Sequence, residues 1–367
     1  MVSKNLNVTH EGGAAQPTLS AALELKRNVA TCLLQEPTFY ETGDTIASRI
    51  ADLCSRVSLL DIRDLAIKAR HDWNLRHVPL WLLTQLIKRN NWLRQLSYFG
   101  STGSFVGDSI YSVVSRPDEI TELIALYWKD GKRPLTKQMK TGLGRAFNKF
   151  DAYQLAKWNK TDKAITLRDA LFMVHAKPKD DVQATLFKQL VDNTLPTPYT
   201  WETELSSGKD KLEAWTGLLE SKKLPHMAAV MNARNMLDAG LSASTVGEYI
   251  VKSGTKSKLF PYRYWMAAKY APQIANHLEA AMLQAVANTP TIPGTTAILC
   301  DVSASMVGNL AGKSQAARWE AGAALAILIR ERAENAIVAH WAGDGRLVPN
   351  VKGFGLAAMV DPQRINS

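Results

Sequence analysis

A chain of 367 residues with 46% hydrophobic side chains and ten tryptophans is long enough for two or three folded domains and too apolar to be disordered. Its 44 Lys and Arg outnumber 34 Asp and Glu, a formal charge of +10 that points to polyanionic partners, nucleic acid first among them. No apolar run approaches the ~20 residues of a membrane span, the N-terminus lacks a signal-peptide core, and nothing reads as an amphipathic membrane anchor; Cys32, Cys54 and Cys300 suit buried free thiols, so a cytoplasmic protein is expected.

Residues 1–17, polar and Gly-rich, read as a mobile arm. From Leu19 to about residue 288 the pattern is helical. Ile46, Ile50, Leu53 and Val57 form one stripe, Ile120, Leu123, Ile124 and Tyr127 a second, and Leu212, Trp215, Leu218 and Leu219 a third. Arg116-Pro117-Asp118 opens a helix that Asp130-Gly131 closes, and Gly240 follows a helix beginning near Leu224. Many amphipathic helices with short polar joints, but no fixed-period repeat, predict stacked helix pairs in an α-solenoid over residues 18–288. Residues 288–294 read as a linker. Beyond it come a buried strand from Thr296 to Cys300, a small-residue loop, an Ala-rich helix from about Lys313 to Glu334, and a second strand from Ala336 to Trp341. Strand, helix, strand is the opening of a parallel α/β unit, so the fold class is mainly α with a partial α/β segment at 295–367.

Charge is concentrated between Trp128 and Lys163. That stretch holds Lys129, Lys132, Arg133, Lys137, Lys140, Arg145, Lys149, Lys157, Lys160 and Lys163 against Asp130, Asp151 and Asp162. Phe147, Phe150, Tyr153, Leu155 and Trp158 are interleaved with the cations, which suits phosphate contacts beside planar faces for unpaired bases. The plain alternative is a solvated helical face whose aromatics are core. On helical spacing Lys137, Lys140 and Arg145 share a face, which Lys149 extends only if the helix stays regular past Gly142 and Gly144.

The second chemical signal is Asp301-x-Ser303-x-Ser305 at the carboxyl end of the first strand. One carboxylate and two hydroxyls on one side of a loop are hard oxygen ligands of the kind Mg²⁺ takes, in the place where open α/β sheets bind ligands. Otherwise these residues simply cap the following helix. Asp344, before Gly345, is read as a turn residue and not as a further ligand. The histidines show no zinc spacing, and P-loop, G-x-S-x-G and G-x-G-x-x-G motifs are missing, so neither catalysis nor a nucleotide cofactor is expected.

Asp301, Ser303 and Ser305 resemble the first segment of the metal-ion-dependent adhesion site of von Willebrand factor A domains. Phe39-Tyr40-Glu41-Thr42-Gly43, Arg76-His77-Val78-Pro79-Leu80, Gly131-Lys132-Arg133-Pro134-Leu135, Gly144-Arg145-Ala146-Phe147-Asn148-Lys149-Phe150, Ile165-Thr166-Leu167-Arg168-Asp169, Val174-His175-Ala176-Lys177-Pro178 and Ser257-Lys258-Leu259-Phe260-Pro261 resemble, in order, the TROVE module, above all that of the Ro autoantigen family. The resemblance implies a ring of HEAT-like helical repeats closed by an A domain. It also implies a non-catalytic ribonucleoprotein scaffold that binds single-stranded 3′ ends of misfolded noncoding RNAs in a basic hole, and Y-like RNA outside it. Carried over residue by residue, RNA contacts fall on Lys157, the neighbourhood of Lys160, and His175, which by itself would read as a core histidine. An A domain completes its metal site with a Thr and an Asp from later loops, whereas residues 295–367 offer two or three strands and one good helix. Either truncation or a second chain that completes the domain is implied, and a Mg²⁺-dependent protein-interaction module acting through the Asp301 loop is the alternative function.

Overall fold

The computed structural model describes residues 19–31, 43–95, 104–255, 257–310 and 314–365, which belong to two compact units, Met1–Pro198 and Tyr199–Ser367. The expected arm at 1–17, Cys32 and most of the Phe39–Gly43 segment lie outside the described residues.

The first unit is helical throughout its described part: α1 (Ala21–Ala30), α2 (Gly43–Ser55), α3 (Leu59–His71), α4 (His77–Gln95), α5 (Phe105–Val113), α6 (Pro117–Tyr127), α7 (Lys137–Phe147), α8 (Ala152–Trp158), α9 (Leu167–Val174) and α10 (Asp181–Val191). Helix starts are set by side-chain caps. Ser58 with Asp61, Asp151 with Gln154 and Thr166 with Asp169 form reciprocal capping boxes, while Thr136 and Asp180 accept from the third backbone N–H of α7 and α10. Neighbours pack in pairs, α3 on α4 and α5 on α7. Both expected stripes of this unit point inward: Ile46, Ile50 and Leu53 on α2, with Val57 just past its end, and Ile120, Leu123, Ile124 and Tyr127 on α6.

The second unit begins with α11 (Trp201–Ser206), α12 (Lys211–Glu220), α13 (His226–Met231), α14 (Ala233–Asp238), α15 (Ala243–Ser253), α16 (Pro261–Tyr270) and α17 (Ala275–Val286). On α12 the expected stripe holds for Trp215, Leu218 and Leu219, but Leu212, in the first turn, is 42% exposed. The single helix expected from Leu224 to Gly240 is two short ones. They break at Asn232, whose backbone leaves helical geometry (φ −104°, ψ 12°) and whose side-chain amide donates to Ala228 O at 3.0 Å.

The chain then forms β1 (Ile292–Asp301), α18 (Arg318–Arg332), β2 (Ala333–Trp341), β3 (Gly345–Leu347), α19 (Phe354–Met359) and α20 (Pro362–Ile365). Strand β1 pairs in parallel with β2, as the strand-helix-strand pattern predicts, and β3 returns antiparallel to β2. The expected linker is in part strand: β1 starts at Ile292, with a register shift before Thr295 where Gly294 takes φ +75°. Helix α18 starts at Arg318, later than expected, and Lys313 lies outside the described residues. The strand expected to be buried is covered on one face alone. Ile298, Cys300 and Val338 face the core beneath α18, whereas Leu299 is 64% and Ile337 51% exposed. Residues from α12 to α19 share one hydrophobic core, so the expected boundary near residue 288 falls inside this unit.

Candidate nucleic-acid interface

Thr136 caps α7 so that Lys137 and Lys140 lie on its outer side, beside the end of α9. Helix α9 stops at His175, which takes the left-handed conformation (φ 53°, ψ 49°) and donates its N–H to the last carbonyls of the helix. That turn brings Lys177 alongside α7, where Asn148 pins it: its amide donates to Lys177 O at 2.8 Å and its oxygen accepts from Lys179 N at 3.1 Å. The result is a cleft of about 630 Å³ lined by Lys137, Lys140, Arg145, Asn148, His175 and Lys177 among others, with no carboxylate among the described residues that line it. Charge clustering between Trp128 and Lys163 does not single out Lys177, which lies beyond that stretch, or the uncharged Asn148, although both stand in segments that carry the TROVE resemblance.

The other predicted cations are dispersed or answered. Arg145 shares this cleft but is ion-paired with Asp108 and lies 4.6 Å from the Tyr111 ring. Hydrogen bonds from Ser104 and then from Arg145 hold the Asp108 carboxyl below its usual range. Lys149 is not a surface contact. Helix α7 stays regular past both glycines but ends at Phe147, and Lys149, beyond the end, turns its ammonium onto the carbonyls of Tyr111 and Val114 at the end of α5. Burial pushes its pKa down. Lys132 and Arg133 lie on Trp128 and Tyr127, 5.7 and 5.5 Å from the ring centres, at the joint between α6 and α7 and outside the cleft. Lys129 is paired with Asp44.

Lys157 stands over Tyr153 on α8 at 5.7 Å, and Lys160 lines a separate cleft of about 450 Å³ with Trp158 and Lys163. That second cleft is mixed in charge, because Asp118 and Glu122 also line it and both pair with Arg76. Of the aromatics interleaved with the cations, Phe147 and Phe150 are core, so the plain alternative holds for them; Tyr153 is 42% exposed and Trp158 half-buried under the Arg116 guanidinium at 3.7 Å.

At the end of β1, Ser303 N donates to Asp301 Oδ1 at 2.9 Å, and the Ser303 and Ser305 hydroxyls are 3.1 Å apart. The loop does not cap α18, whose N-cap is Ala317; Ser303 is instead the N-cap residue of a short 3-10 turn at Ala304–Val307, without a side-chain capping bond. One carboxylate and two adjacent hydroxyls fit the hard-oxygen chemistry of Mg²⁺. No group of three or more His, Cys, Asp or Glu able to hold a metal ion occurs among the described residues. Asp344 pairs with Arg346 in its turn, as expected of a turn residue.

Residues 188–320 match the family model of the TROVE domain. A segment is 38% identical over 76 residues to telomerase protein component 1 of Mus musculus and 37% identical over 76 residues to that of Rattus norvegicus, covering 19% of this chain and only 3% of either relative. The fold is similar to that of the crystal structure of the Deinococcus radiodurans RO (RSR) protein, with a TM-score of 0.61 at 18% identity over 93% of this chain and 80% of that one. The match to the TROVE domain thus runs across the passage from the helical array into the α/β unit, within a fold similar to that of a Ro protein.

Proposed function

We propose that the chain is a cytoplasmic, non-catalytic RNA-binding scaffold of a ribonucleoprotein, which holds single-stranded 3′ ends of defective RNAs and a small Y-like noncoding RNA. The observation that carries this reading is the α7–α9 cleft, where Lys137, Lys140, His175 and Lys177 converge and no acid lines the wall. A phosphate chain placed there meets several cations that no acid answers among the described residues, which the Lys160 cleft with its two carboxylates does not offer. Single-stranded ends suit such a track because backbone contacts accept any sequence.

Replacing Lys137, Lys140 and Lys177 together by Glu is expected to abolish retention of an RNA with a single-stranded 3′ tail in an anisotropy titration at physiological salt. Undiminished retention removes this cleft from the interface. A second reading is favoured by the convergence of Asp301, Ser303 and Ser305 beside a sheet face that leaves Leu299 and Ile337 exposed. In it the three oxygens hold Mg²⁺ and grip a carboxylate of a partner chain. Partners captured on the protein are then lost with chelator and with Asp301→Ala; metal-independent capture excludes it.

A further inference from the structure

We infer that the second unit carries its own stacking contact for an unpaired base of single-stranded RNA, built from Phe260, Tyr262 and Arg263 at the start of α16 with Arg234 and Tyr270 beside them. The inference rests on the RNA-binding reading above and adds a site to it, remote in sequence from the Trp128–Lys163 stretch.

Helix α16 divides its aromatics between two destinations. Tyr264 is fully buried, bonded to His226 at 2.7 Å and Ser257 at 2.9 Å, and Trp265 packs edge-on against Phe354 at 5.3 Å. Phe260 and Tyr270 go outward, 57% and 45% exposed. Pro261 at the first helical position fixes the start of the helix, and Phe260, as extended N-cap residue, contributes no capping hydrogen bond from its side chain. The core therefore gains nothing from an aromatic at 260. Phe260 lies nearly parallel to Tyr262, with ring centres 6.1 Å apart and planes 17° from each other. A parallel pair of rings with an exposed member is prepared to take a further planar ring.

The charge beside it selects the ring. Tyr262 also lines a cleft of about 320 Å³ with Met231, Arg234, Arg263, Tyr270 and Gln315. The Arg263 guanidinium stands 5.4 Å from the Tyr262 ring and touches Met231 Sδ at 3.9 Å, and among the described residues it makes no ion pair. Arg234 stands over Tyr270 at 5.8 Å and pairs with the exposed Asp238 at 3.8 Å. An apolar peptide would fill the methionine and tyrosine surface but leave Arg263 without a counter-charge. A nucleotide answers both features, its base on the rings and its phosphate on the guanidiniums, and base–aromatic contact is indifferent to sequence.

The test uses the full chain and an oligouridylate of about 10 nucleotides carrying 4-thiouridine, with cross-linked peptides located by mass spectrometry. A cross-link within Phe260–Arg263 is expected. Replacing Phe260 and Tyr262 together by Ala is expected to weaken binding about 5- to 100-fold, as loss of one stacked base implies, with Phe260→Tyr close to the parent. Cross-links confined to residues before Pro198, with unchanged affinity of the double variant, overturn the inference while leaving the α7–α9 cleft in place. Loss of affinity with Arg263→Glu but not with the aromatic variant also overturns it, by reducing the patch to a charged surface. Binding of polyglutamate that is lost with Arg263→Glu, together with no RNA cross-link within Phe260–Arg263, assigns the patch to an acidic protein and has the same effect. A parent chain that binds no oligouridylate takes both readings down together.

Discussion

Glu119 has no solvent exposure at the start of α6, yet its carboxylate has every bond it needs. Arg70 Nη2 donates to it at 2.8 and 3.0 Å, and the N–H groups of Ser115 and Arg116 donate to Oε2 at 2.8 and 3.2 Å. It thus closes the N-terminus of α6 and neutralises an arginine that is itself largely buried. Glu119→Ala leaves that guanidinium uncompensated and is expected to cost roughly 3–5 kcal/mol in urea unfolding. Glu119→Gln, which keeps an acceptor oxygen, should lose less. The same position sets Arg116, the residue that covers Trp158, so the Glu119→Ala change should also raise Trp158 accessibility to a fluorescence quencher. Cys54 is a second buried group with a chemical readout. Burial pushes its thiol up to about 12, and Cys300 is raised for the same reason. At pH 8 both are then thiols and not thiolates, and the native protein should leave them unmodified by iodoacetamide, with labelling of those two peptides appearing only on unfolding.

Helix ends, more than helix faces, decide which of the predicted contacts exist. The buried stripes of α2 and α6 were legible because a 3.6-residue period repeats through the whole element, and the capping boxes because each is a fixed local spacing. Lys149 leaves the α7 stripe because the helix ends at Phe147, two residues before it, which no periodicity reports; past that end the chain delivers the ammonium to the carbonyls at the end of α5. The break at Asn232 was equally invisible, since the apolar positions on either side keep a helical spacing. Gly142 and Gly144 both lie inside α7, and one of them has a reason: a Cβ on Gly142 would sit 2.7 Å from Gly107 O and 2.9 Å from Gly107 Cα. Helices α5 and α7 touch backbone to backbone there, and their separation sets where Lys137 and Lys140 stand. Gly142→Ala must push them apart, a strain of roughly 1–3 kcal/mol that a lower thermal midpoint would register. Gly144→Ala, with its nearest neighbour at 3.6 Å, should be nearly silent.

For the molecule as a whole, the concentration of seven of the ten net charges between Trp128 and Lys163 suggested one continuous basic surface, and the fold breaks it into parts with different electrostatic worth. Asp44 and Asp108 answer Lys129 and Arg145, Lys149 serves the chain's own carbonyls, and Lys160 shares its cleft with two acids. Among the described residues, the cations that converge on one cleft without a lining acid are those on α7 and past the end of α9, while Lys132, Arg133 and Lys157 lie on rings elsewhere. Pairing across 37 residues, as between Arg145 and Asp108, cannot be read from a local charge count, which is why the site was legible as a region but not as a set of side chains. This sorting has a thermodynamic signature. Each phosphate neutralised on a single strand releases counterions and contributes about −0.7 to the slope of log affinity against log salt. Exchanging Lys137, Lys140 and Lys177 for Gln should therefore flatten the slope by about 2, whereas Lys149→Gln should leave it unchanged and instead lower stability, because two carbonyls at the end of α5 lose their donor. Equal slopes for the triple variant and the parent would mean that the strand runs elsewhere. A flattened slope for Lys149→Gln would mean that its ammonium leaves α5 when RNA arrives, and that the surface counted here is one cation short.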